Sequence, residues 1–331
     1  MSFQSQKQIV LNFYRDLENS NVIDTSKVIL KYCSKDLLWR GYEPFNEIIG
    51  AEKLCTDFWQ PFKKSFSNLQ RRMDIFLAGT NSILGNEGVW VLSMGHLMGL
   101  FDNSWIGIKE TKKIAMFRYC EFNKVENGKI TEVAMFFDIP HLMLQAGLMP
   151  FPSETGISLV QPGPLKHKGL MFDEEDPNEG DMTLKIIESM IDDVKVWTSS
   201  NRRSLIKELK RSWNEDMIWW GPTGIGATYT IERYANQHAG PFRETFKDRK
   251  FNGHLCRISE GTFGGFFGWP NLTLTPIKEY MGLKTIEKPS EMRVIDIYRR
   301  EGNKLSENWV FIDFLHFWKM QGIDILKKSL R

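Results

Sequence analysis

Cysteine is scarce in this sequence of 331 residues, and its placement excludes two classes of site. The four cysteines are Cys33, Cys55, Cys120 and Cys256, and none forms a C-x-x-C pair with another. Disulfide frameworks and thiolate zinc sites use such short spacings. The sequence therefore predicts buried free thiols in a reducing compartment.

An excess of charge of one sign and long apolar runs are also missing. The 43 lysines and arginines nearly balance the 41 aspartates and glutamates, so the formal net charge is +2. Nucleic-acid-binding proteins usually carry a basic face, and a membrane helix needs about 20 consecutive apolar residues. The N-terminus also lacks the basic and apolar segments of an export signal. We therefore expect a cytoplasmic protein without a nucleic-acid or membrane partner.

Motifs that bind cofactors or metals are absent as well. The sequence contains no G-x-G-x-x-G between a strand and a helix, no P-loop and no G-x-S-x-G. The glycine-rich run Gly264–Gly268 falls in a predicted strand, where it is expected to bend the sheet. Two D-x-x-H pairs each supply two metal ligands, but a zinc site needs three or four. No cofactor and no metal are predicted.

Aromatic residues and methionine, in contrast, are abundant. The sequence has 11 Trp, 23 Phe and 15 Met. Such residues line roomy apolar pockets, and they also fill dense cores. Composition alone leaves both interpretations open.

The chain contains one pattern twice. Asp138 and His141 recur 175 residues later as Asp313 and His316, each pair followed by a glycine at the same spacing. Two further blocks recur 180 residues apart: Asp36–Gly41 as Asp216–Gly221, and Glu52–Phe66 as Glu232–Phe246. Three repeated blocks in one order indicate a duplicated domain, because each copy is far longer than a solenoid repeat. We predict domains at residues 1–150 and 181–331, joined by a linker at 151–180 that is rich in proline, glycine and acidic residues.

Within each copy, helical periodicity comes first and strand patterns follow. The predicted helices are Phe3–Glu18, Ser26–Tyr32, Gly50–Phe66 (kinked or ended by Pro61), Thr183–Trp197, Arg203–Ser212 and Thr230–Phe246. The predicted strands are Asp36–Trp39, Arg71–Ala78, Val89–Phe101, Ile114–Val125, Ile130–Asp138, Trp219–Trp220, Gly253–Ile258, Thr262–Trp269, Met292–Arg300 and Leu305–Asp313. Asn127-Gly128 predicts a hairpin. This order indicates an α+β fold, in which a strongly curved antiparallel sheet is covered by N-terminal helices and encloses a cavity.

The end of each copy resembles the SnoaL-like polyketide cyclase family of the nuclear-transport-factor-2-like superfold. That family ends its last strand with an aspartate, followed by a short helix and Q-x-G; here the aspartates are Asp138 and Asp313. A family tryptophan four residues before the aspartate is matched by Trp309, whereas the first copy has Ala134. A strand histidine followed by small residues is matched by His96 in the first copy alone. The resemblance covers the chain twice and implies two tandem domains.

The resemblance also implies a function and a mode of assembly. In this family the last-strand aspartate acts as a general acid/base in a cofactor-free aldol ring closure, which assigns Asp138 and Asp313 to catalysis. Members of the superfold commonly pair their open sheets. The two copies are therefore expected to form an intramolecular pseudo-dimer, which could pair further as a homodimer.

The aspartates have a structural interpretation of equal weight. Each comes just before a predicted helix, and aspartate is among the best N-cap residues. A catalytic carboxylate needs an apolar cavity that raises its pKa, and both aspartates follow apolar runs. Both roles stay open at this point.

The histidines add a second set of candidates. His141 and His316 lie three residues after the aspartates, where each either contacts a substrate beside its carboxylate or packs its helix against the sheet. His96 sits within a strand, where a buried ring needs a partner, and Asp138 is the predicted one. The first copy is therefore the preferred catalytic copy. No partner is identified for His238 or His254.

Five tryptophans are candidates for substrate contact. They are Trp39, Trp219, Trp220, Trp269 and Trp309. Core packing is the structural alternative for each of them.

Two functions follow from these observations. The first is a cofactor-free acid/base enzyme that acts on a hydrophobic, carbonyl-bearing small molecule by cyclisation, isomerisation, dehydration or hydrolysis. The second is a non-catalytic protein of the same fold that binds a small molecule or pairs domains.

Overall fold

The computed structural model of the protein describes residues 2–152, 154–158, 161–195 and 202–330. The chain folds into two successive α+β halves, as the repeats predict, and each half has one curved sheet with helices on one side. In the first half the elements are α1 (Gln4–Asn19), α2 (Thr25–Tyr32), β1 (Cys33–Gly41), β2 (Glu47–Ile49), α3 (Ala51–Leu54), α4 (Gln60–Ser65), β3 (Phe66–Thr80), β4 (Val89–Phe101), β5 (Ile114–Glu126), β6 (Lys129–Phe137) and α5 (Ile139–Gln145).

The second half repeats this order, but it has two strands where the first half has β3 and one more helix at its end. Its elements are α6 (Pro177–Lys195), α7 (Arg202–Ser212), β7 (Trp213–Trp220), β8 (Ala227–Tyr229), α8 (Ile231–Tyr234), α9 (Gly240–Thr245), β9 (Phe246–Phe251), β10 (Cys256–Glu260), β11 (Phe263–Pro276), β12 (Ser290–Glu301), β13 (Lys304–Ile312), α10 (Phe314–Met320) and α11 (Ile325–Ser329). The predicted helix Thr183–Trp197 thus begins earlier, and its last two residues lie outside the described ranges.

Each sheet is an antiparallel meander that also contains one parallel pair of strands. The strand order is β2-β1-β6-β5-β4-β3 in the first half and β10-β11-β12-β13-β7-β8 in the second, where β9 also pairs with β11. Among the paired strands of the described residues, β1 with β6 and β7 with β13 run parallel. The hairpin at Asn127-Gly128 is confirmed, with positive φ at both residues, which asparagine and glycine tolerate best.

Pro61 does not end its helix. A π-helical turn, Cys55–Trp59, precedes it, and Pro61 stands at the start of α4, where a missing backbone N–H costs little. The second half has the same turn at Ala235–Ala239, before α9. The helices therefore run on to the sheet.

The tryptophan and glycine that recur in Asp36–Gly41 and Asp216–Gly221 pack against each other. The Trp39 ring covers Gly41, and a Cβ at this glycine would collide with the ring. Trp219 covers Gly221 in the same way. Any larger residue would displace the tryptophan from the core.

The halves differ in the strand that follows the helices. The 15-residue strand β3 is continuous, whereas the second half has β9, a break at residues 252–255, and β10. The predicted strand Gly253–Ile258 is therefore wrong at its start, because the strand begins at Cys256. A β-bulge between Gly268 and Leu272 in β11 accompanies the break, and Pro270 within it has no N–H to donate.

The two halves contact each other through their sheets. Phe267 of β11 packs against Trp90 and Phe122, with ring centroids 5.4 and 5.2 Å apart. The segment after residue 150 contacts both halves: Gln161 Nε2 donates to the Gly221 carbonyl at 2.6 Å, and the Met171 N–H donates to the Phe76 carbonyl at 2.8 Å. The domain limits at 150 and 181 stay predictions.

None of the described helices is both long enough and apolar enough to span a lipid bilayer.

A buried ion pair also joins the halves, and it yields a stability prediction. Lys7 Nζ in α1 lies 2.6 Å from Glu260 Oε1 in β10, and both side chains are buried. Lys7→Met leaves a buried carboxylate without its cation, so we expect the free energy of unfolding in urea to fall by about 3 kcal/mol. Adding Glu260→Gln removes the remaining charge and should restore part of the loss. Equal losses in the single and double variants would contradict this account.

Candidate functional site

The second half contains an apolar cavity of about 210 Å³ between its helices and its sheet. Aromatic side chains form much of its wall. They are Trp213, Trp219, Tyr234, Phe242, Phe251, Phe266 and Tyr298. The cavity is large enough for part or all of a small organic molecule.

Strand β12 brings a carboxyl group into this cavity. Met292, Val294, Asp296 and Tyr298 all line it, because alternate residues of a strand face the same side. Arg293 lies among the residues between them and faces the first half, where its Nη1 donates to Asn46 Oδ1 at 2.7 Å, while its guanidinium stacks on the Trp269 ring of its own half at 3.9 Å. Asp296 is thus the acidic residue on the inner face of this strand.

Asp296 has no ion-pair partner within the described ranges of the chain. Its Oδ1 accepts a hydrogen bond from Asn308 Nδ2 at 3.1 Å, and the Tyr298 side chain is a second hydrogen-bond partner. Burial raises the pKa of Asp296 to about 7, although these hydrogen bonds act in the opposite direction. The carboxyl group therefore exchanges a proton near neutral pH.

Two histidines of the cavity are neutral at that pH. The His238 ring stacks on Trp219 with centroids 4.0 Å apart, and burial lowers the pKa of His238 to about 3. His254 lies in the break between β9 and β10, where burial, together with the nearby Arg257 and Lys195, also lowers its pKa to about 3. Both rings offer hydrogen bonds without a charge.

The first half has the same arrangement of strands but a different side chain at the position of Asp296. The Asp138 N–H donates to the Arg118 carbonyl, and the Asp313 N–H donates to the Arg293 carbonyl, so Arg118 and Arg293 occupy equivalent positions. Glu121 follows Arg118 at the same distance along the strand as Asp296 follows Arg293, and it therefore corresponds to Asp296. Glu121 is neutralised by Arg71, whose Nη1 lies 2.7 Å away.

Arg71 itself fills space in the first half. Its guanidinium lies 3.6 Å from the Tyr14 ring centre and 4.4 Å from that of Tyr119. Arg71 comes five residues after the first residue of β3, and Phe251 comes five residues after the first residue of β9. Phe251 therefore takes the place of Arg71 in the second half. At the position of His238, the first half has Phe58, which packs on Trp39 at 4.9 Å. The interior of the first half is therefore occupied by its own side chains.

The repeated aspartates lie between the halves and not in the large cavity. Asp138 Oδ1 accepts from the His141 N–H at 3.0 Å, which caps α5, and its Oδ2 accepts from the Thr223 N–H of the second half at 3.0 Å. The cavity beside it holds only about 10 Å³, room for about one water molecule. The structure thus shows Asp138 as a helix cap. Catalysis by Asp138 stays a prediction, and the cavity beside it is too small for a substrate.

Asp313 repeats this arrangement. Its Oδ1 accepts from the His316 N–H at 3.1 Å and its Oδ2 from the Glu43 N–H of the first half at 3.0 Å. Burial raises the pKa of Asp313 to about 7, while Arg293 at 3.5 Å and the two backbone N–H groups lower it.

The candidate histidines are spread over different contacts. His96 is buried on β4 with Nδ1 3.5 Å from Asp74, and no hydrogen bond to Asp138 is present. His141 Nδ1 contacts Gln145 at 3.2 Å, and His316 Nε2 contacts Glu291 at 3.2 Å. Joint action of His96 and Asp138 therefore stays a prediction, without a hydrogen bond between them.

Of the five candidate tryptophans, Trp219 alone lines the large cavity in the described structure. Trp39 packs in the core, Trp269 stacks under Arg293, and Trp309 Nε1 donates to the Pro162 carbonyl at 3.4 Å. Trp220 is buried, and its carbonyl accepts from Arg118 at 3.1 Å.

Sequence reasoning did not select Asp296, His254, Asn308 or Tyr298. A signal for Asp296 was available, because it stands among apolar residues on alternate positions of a predicted strand. No comparable pattern marks His254. Among the described residues, no three His, Cys, Asp or Glu side chains cluster as metal ligands would.

Comparisons with known proteins concern each half separately. Structural neighbours include a protein described as a SnoaL-like polyketide cyclase from Jannaschia sp. CCS1 (15% identity, TM-score 0.33, covering 42% of this chain and 89% of that one). A polyketide cyclase from Xanthomonas campestris has 16% identity, a TM-score of 0.34 and coverages of 43% and 98%. An NTF2-like protein from Burkholderia xenovorans LB400 has 12% identity, a TM-score of 0.33 and coverages of 43% and 97%. Each of these neighbours thus covers less than half of this chain. No protein-family model and no curated protein matches the chain.

The contacts of Asp138 predict a stability difference between two caps. Asp138→Ala removes a cap, leaves the Thr223 N–H without its acceptor and leaves Arg118, 3.8 Å away, without its counter-ion. We expect a loss of about 3 kcal/mol in the free energy of unfolding. Asp324→Ala is the matched control, because Asp324 is exposed and caps only α11, and it should cost about 1 kcal/mol. Equal costs would show that the contact with the second half contributes nothing.

The raised pKa of Asp296 predicts the pH dependence of stability. An unfolded aspartate titrates near pH 3.8 and the folded Asp296 near 7, so the folded state binds the extra proton between these values. Stability should therefore fall as pH rises through this window. Asp296→Asn should flatten the fall and stabilise the protein at about pH 8 by about 1 kcal/mol or more. Asp313 contributes a fall of the same sign, which this variant leaves in place. A variant less stable than wild type at that pH would contradict the shift.

Proposed function

We propose that the second half binds a mainly apolar small molecule with a carbonyl group and acts on it by general acid/base catalysis through Asp296. The observation that carries this proposal is the Asp296 carboxyl group, which lines a mainly apolar cavity, forms no ion pair among the described residues and has a pKa raised to about 7. A group that titrates near the working pH both accepts and returns protons efficiently.

The chemistry follows from this environment. The Asp296 carboxylate would remove a proton from the carbon next to the carbonyl, and the protonated carboxyl group would return it elsewhere on the substrate. This transfer is common to isomerisation and aldol cyclisation, and it uses no cofactor. The apolar wall supports it, because a desolvated carboxylate is a stronger base.

The first half would then serve as a partner domain without a reaction of its own. Its corresponding carboxylate, Glu121, is paired with Arg71, and the position of the neutral His238 is taken by Phe58. We therefore expect one ligand site per chain.

Binding without catalysis is the second candidate function. It is favoured by Asn308, because its amide already donates to Asp296 and can hold the carboxyl group as a fixed partner for a ligand. Turnover measurements separate the two functions.

Asp296→Asn keeps the shape of the cavity but cannot exchange a proton. We expect it to retain the affinity for a neutral aryl ketone and to lose about a hundredfold or more of the catalysed exchange of hydrogen next to the carbonyl. The measurement is deuterium incorporation from heavy water, followed by NMR. Full exchange in Asp296→Asn together with loss in Asp138→Asn would move the reaction to Asp138. No exchange by the wild type, with binding intact, would favour the non-catalytic function.

A further inference from the structure

His254 stands out in the same cavity because only one of its ring nitrogens has a partner among the described residues. Its Nδ1 lies 2.9 Å from Arg257 Nε. The protonated guanidinium of arginine only donates hydrogen bonds, so Nδ1 must be the acceptor. The neutral imidazole therefore carries its proton on Nε2.

The same contact keeps the ring uncharged. A protonated imidazole would place a second N–H on Nδ1, directly against the Nε–H of Arg257. Lys195 adds a second positive charge nearby, and burial acts in the same direction. The ring, which belongs to a residue that lines the cavity, is thus neutral and carries its N–H on Nε2.

The position of this donor relative to Asp296 follows from the sheet. Arg257, Phe266 and Asp296 stand opposite one another on β10, β11 and β12, so their side chains share one face. The His254 ring stacks on Phe266 with centroids 3.9 Å apart. His254 and Asp296 therefore both flank the Phe266 ring.

The backbone holds His254 in this place. The N–H of Leu255 donates to the Phe267 carbonyl at 2.9 Å, and the N–H of Asn252 donates to the Asn271 carbonyl at 2.8 Å. Phe251 contacts the ring edge-on at 5.1 Å. Arg257 is anchored in turn by Glu188, with Nη1 and Oε1 3.4 Å apart.

We propose that His254 binds the carbonyl oxygen of the ligand through its Nε2–H, and that Arg257 is a positioning residue that fixes this tautomer. The inference rests on the proposed function of the cavity and names the ligand chemistry: a hydrogen-bond acceptor beside Phe266, and not an ammonium group. When Asp296 takes the proton from the adjacent carbon, the electron pair of that C–H bond forms the carbon–carbon double bond. The carbonyl oxygen then becomes the enolate oxygen, and His254 keeps its proton throughout.

The first test reads the tautomer without any ligand. In protein labelled with nitrogen-15 at histidine, the signals lost in His254→Phe identify this ring. We expect the Nε2–H tautomer with no titration between about pH 5 and about pH 8, where an unperturbed histidine would change charge. In Arg257→Met the nitrogen signals should move towards a mixture of tautomers. A wild-type ring with the proton on Nδ1, or a charged ring at neutral pH, overturns the proposal.

The second test measures recognition of the oxygen. The probes are prodan, a neutral fluorescent naphthyl ketone, and the same naphthylamine without its acyl group. His254→Phe keeps a flat ring on Phe266 and should weaken prodan binding about tenfold, the effect of one lost hydrogen bond, while affinity for the acyl-free probe stays the same. Arg257→Met should give a smaller loss for prodan alone.

His238→Phe is the matched control, because it removes the other neutral imidazole of the cavity and copies Phe58 of the first half. It should change the two affinities by the same factor. Equal losses for both probes in His254→Phe overturn the role of His254 and leave the cavity function intact. Failure of the wild type to bind prodan overturns the proposed function and this inference with it.

Discussion

Each aspartate at the end of a last strand binds two backbone N–H groups at once, one from its own helix and one from a loop of the other half. Asp138 joins α5 to Thr223, and Asp313 joins α10 to Glu43. A carboxylate has two oxygens that can accept hydrogen bonds independently, so one side chain can both start a helix and attach the neighbouring half. The most conspicuous repeat of the chain is therefore an element of assembly. Tyr42 reinforces it by donating to the Ile312 carbonyl at 2.8 Å and accepting from the Phe314 N–H at 3.1 Å.

The two halves share these contacts of Asp138 and Asp313, but the side chains in their interiors differ. Arg71 and Glu121 close the first interior with an ion pair, whereas Phe251 and Asp296 stand at the corresponding places of the second. A buried carboxylate with a cation beside it is held in its charged form, while one in an apolar wall is pushed towards its neutral form. The exchange of Arg71 for Phe251 removes the cation beside this carboxyl group, and the exchange of Phe58 for His238 adds a second difference between the filled interior and the cavity. The two copies can therefore differ in function without a change in the contacts that join them.

Local patterns predicted the elements with success where one physical signal dominated. The limits of Val89–Phe101 follow from a run of apolar and β-branched residues between turns, and the Asn127-Gly128 hairpin follows from the positive φ that these residues accept. The prediction failed at Gly253, because the break between β9 and β10 is stabilised by contacts with β11 and its bulge. The two backbone hydrogen bonds that hold the break join residues 12 and 19 positions apart along the chain, beyond the reach of local periodicity.

The sequence by itself determined the duplication, the α+β class and the capping positions of Asp138 and Asp313, because these depend on spacing and on the preferences of single residues. Tertiary structure decided which carboxyl group titrates near neutral pH. Desolvation depends on every side chain that surrounds a group, and Arg71 reaches Glu121 from 50 residues away, while Asp296 forms no ion pair among the described residues. It also decided that His254 shares a wall with Asp296, since that proximity arises only when β10, β11 and β12 align in register.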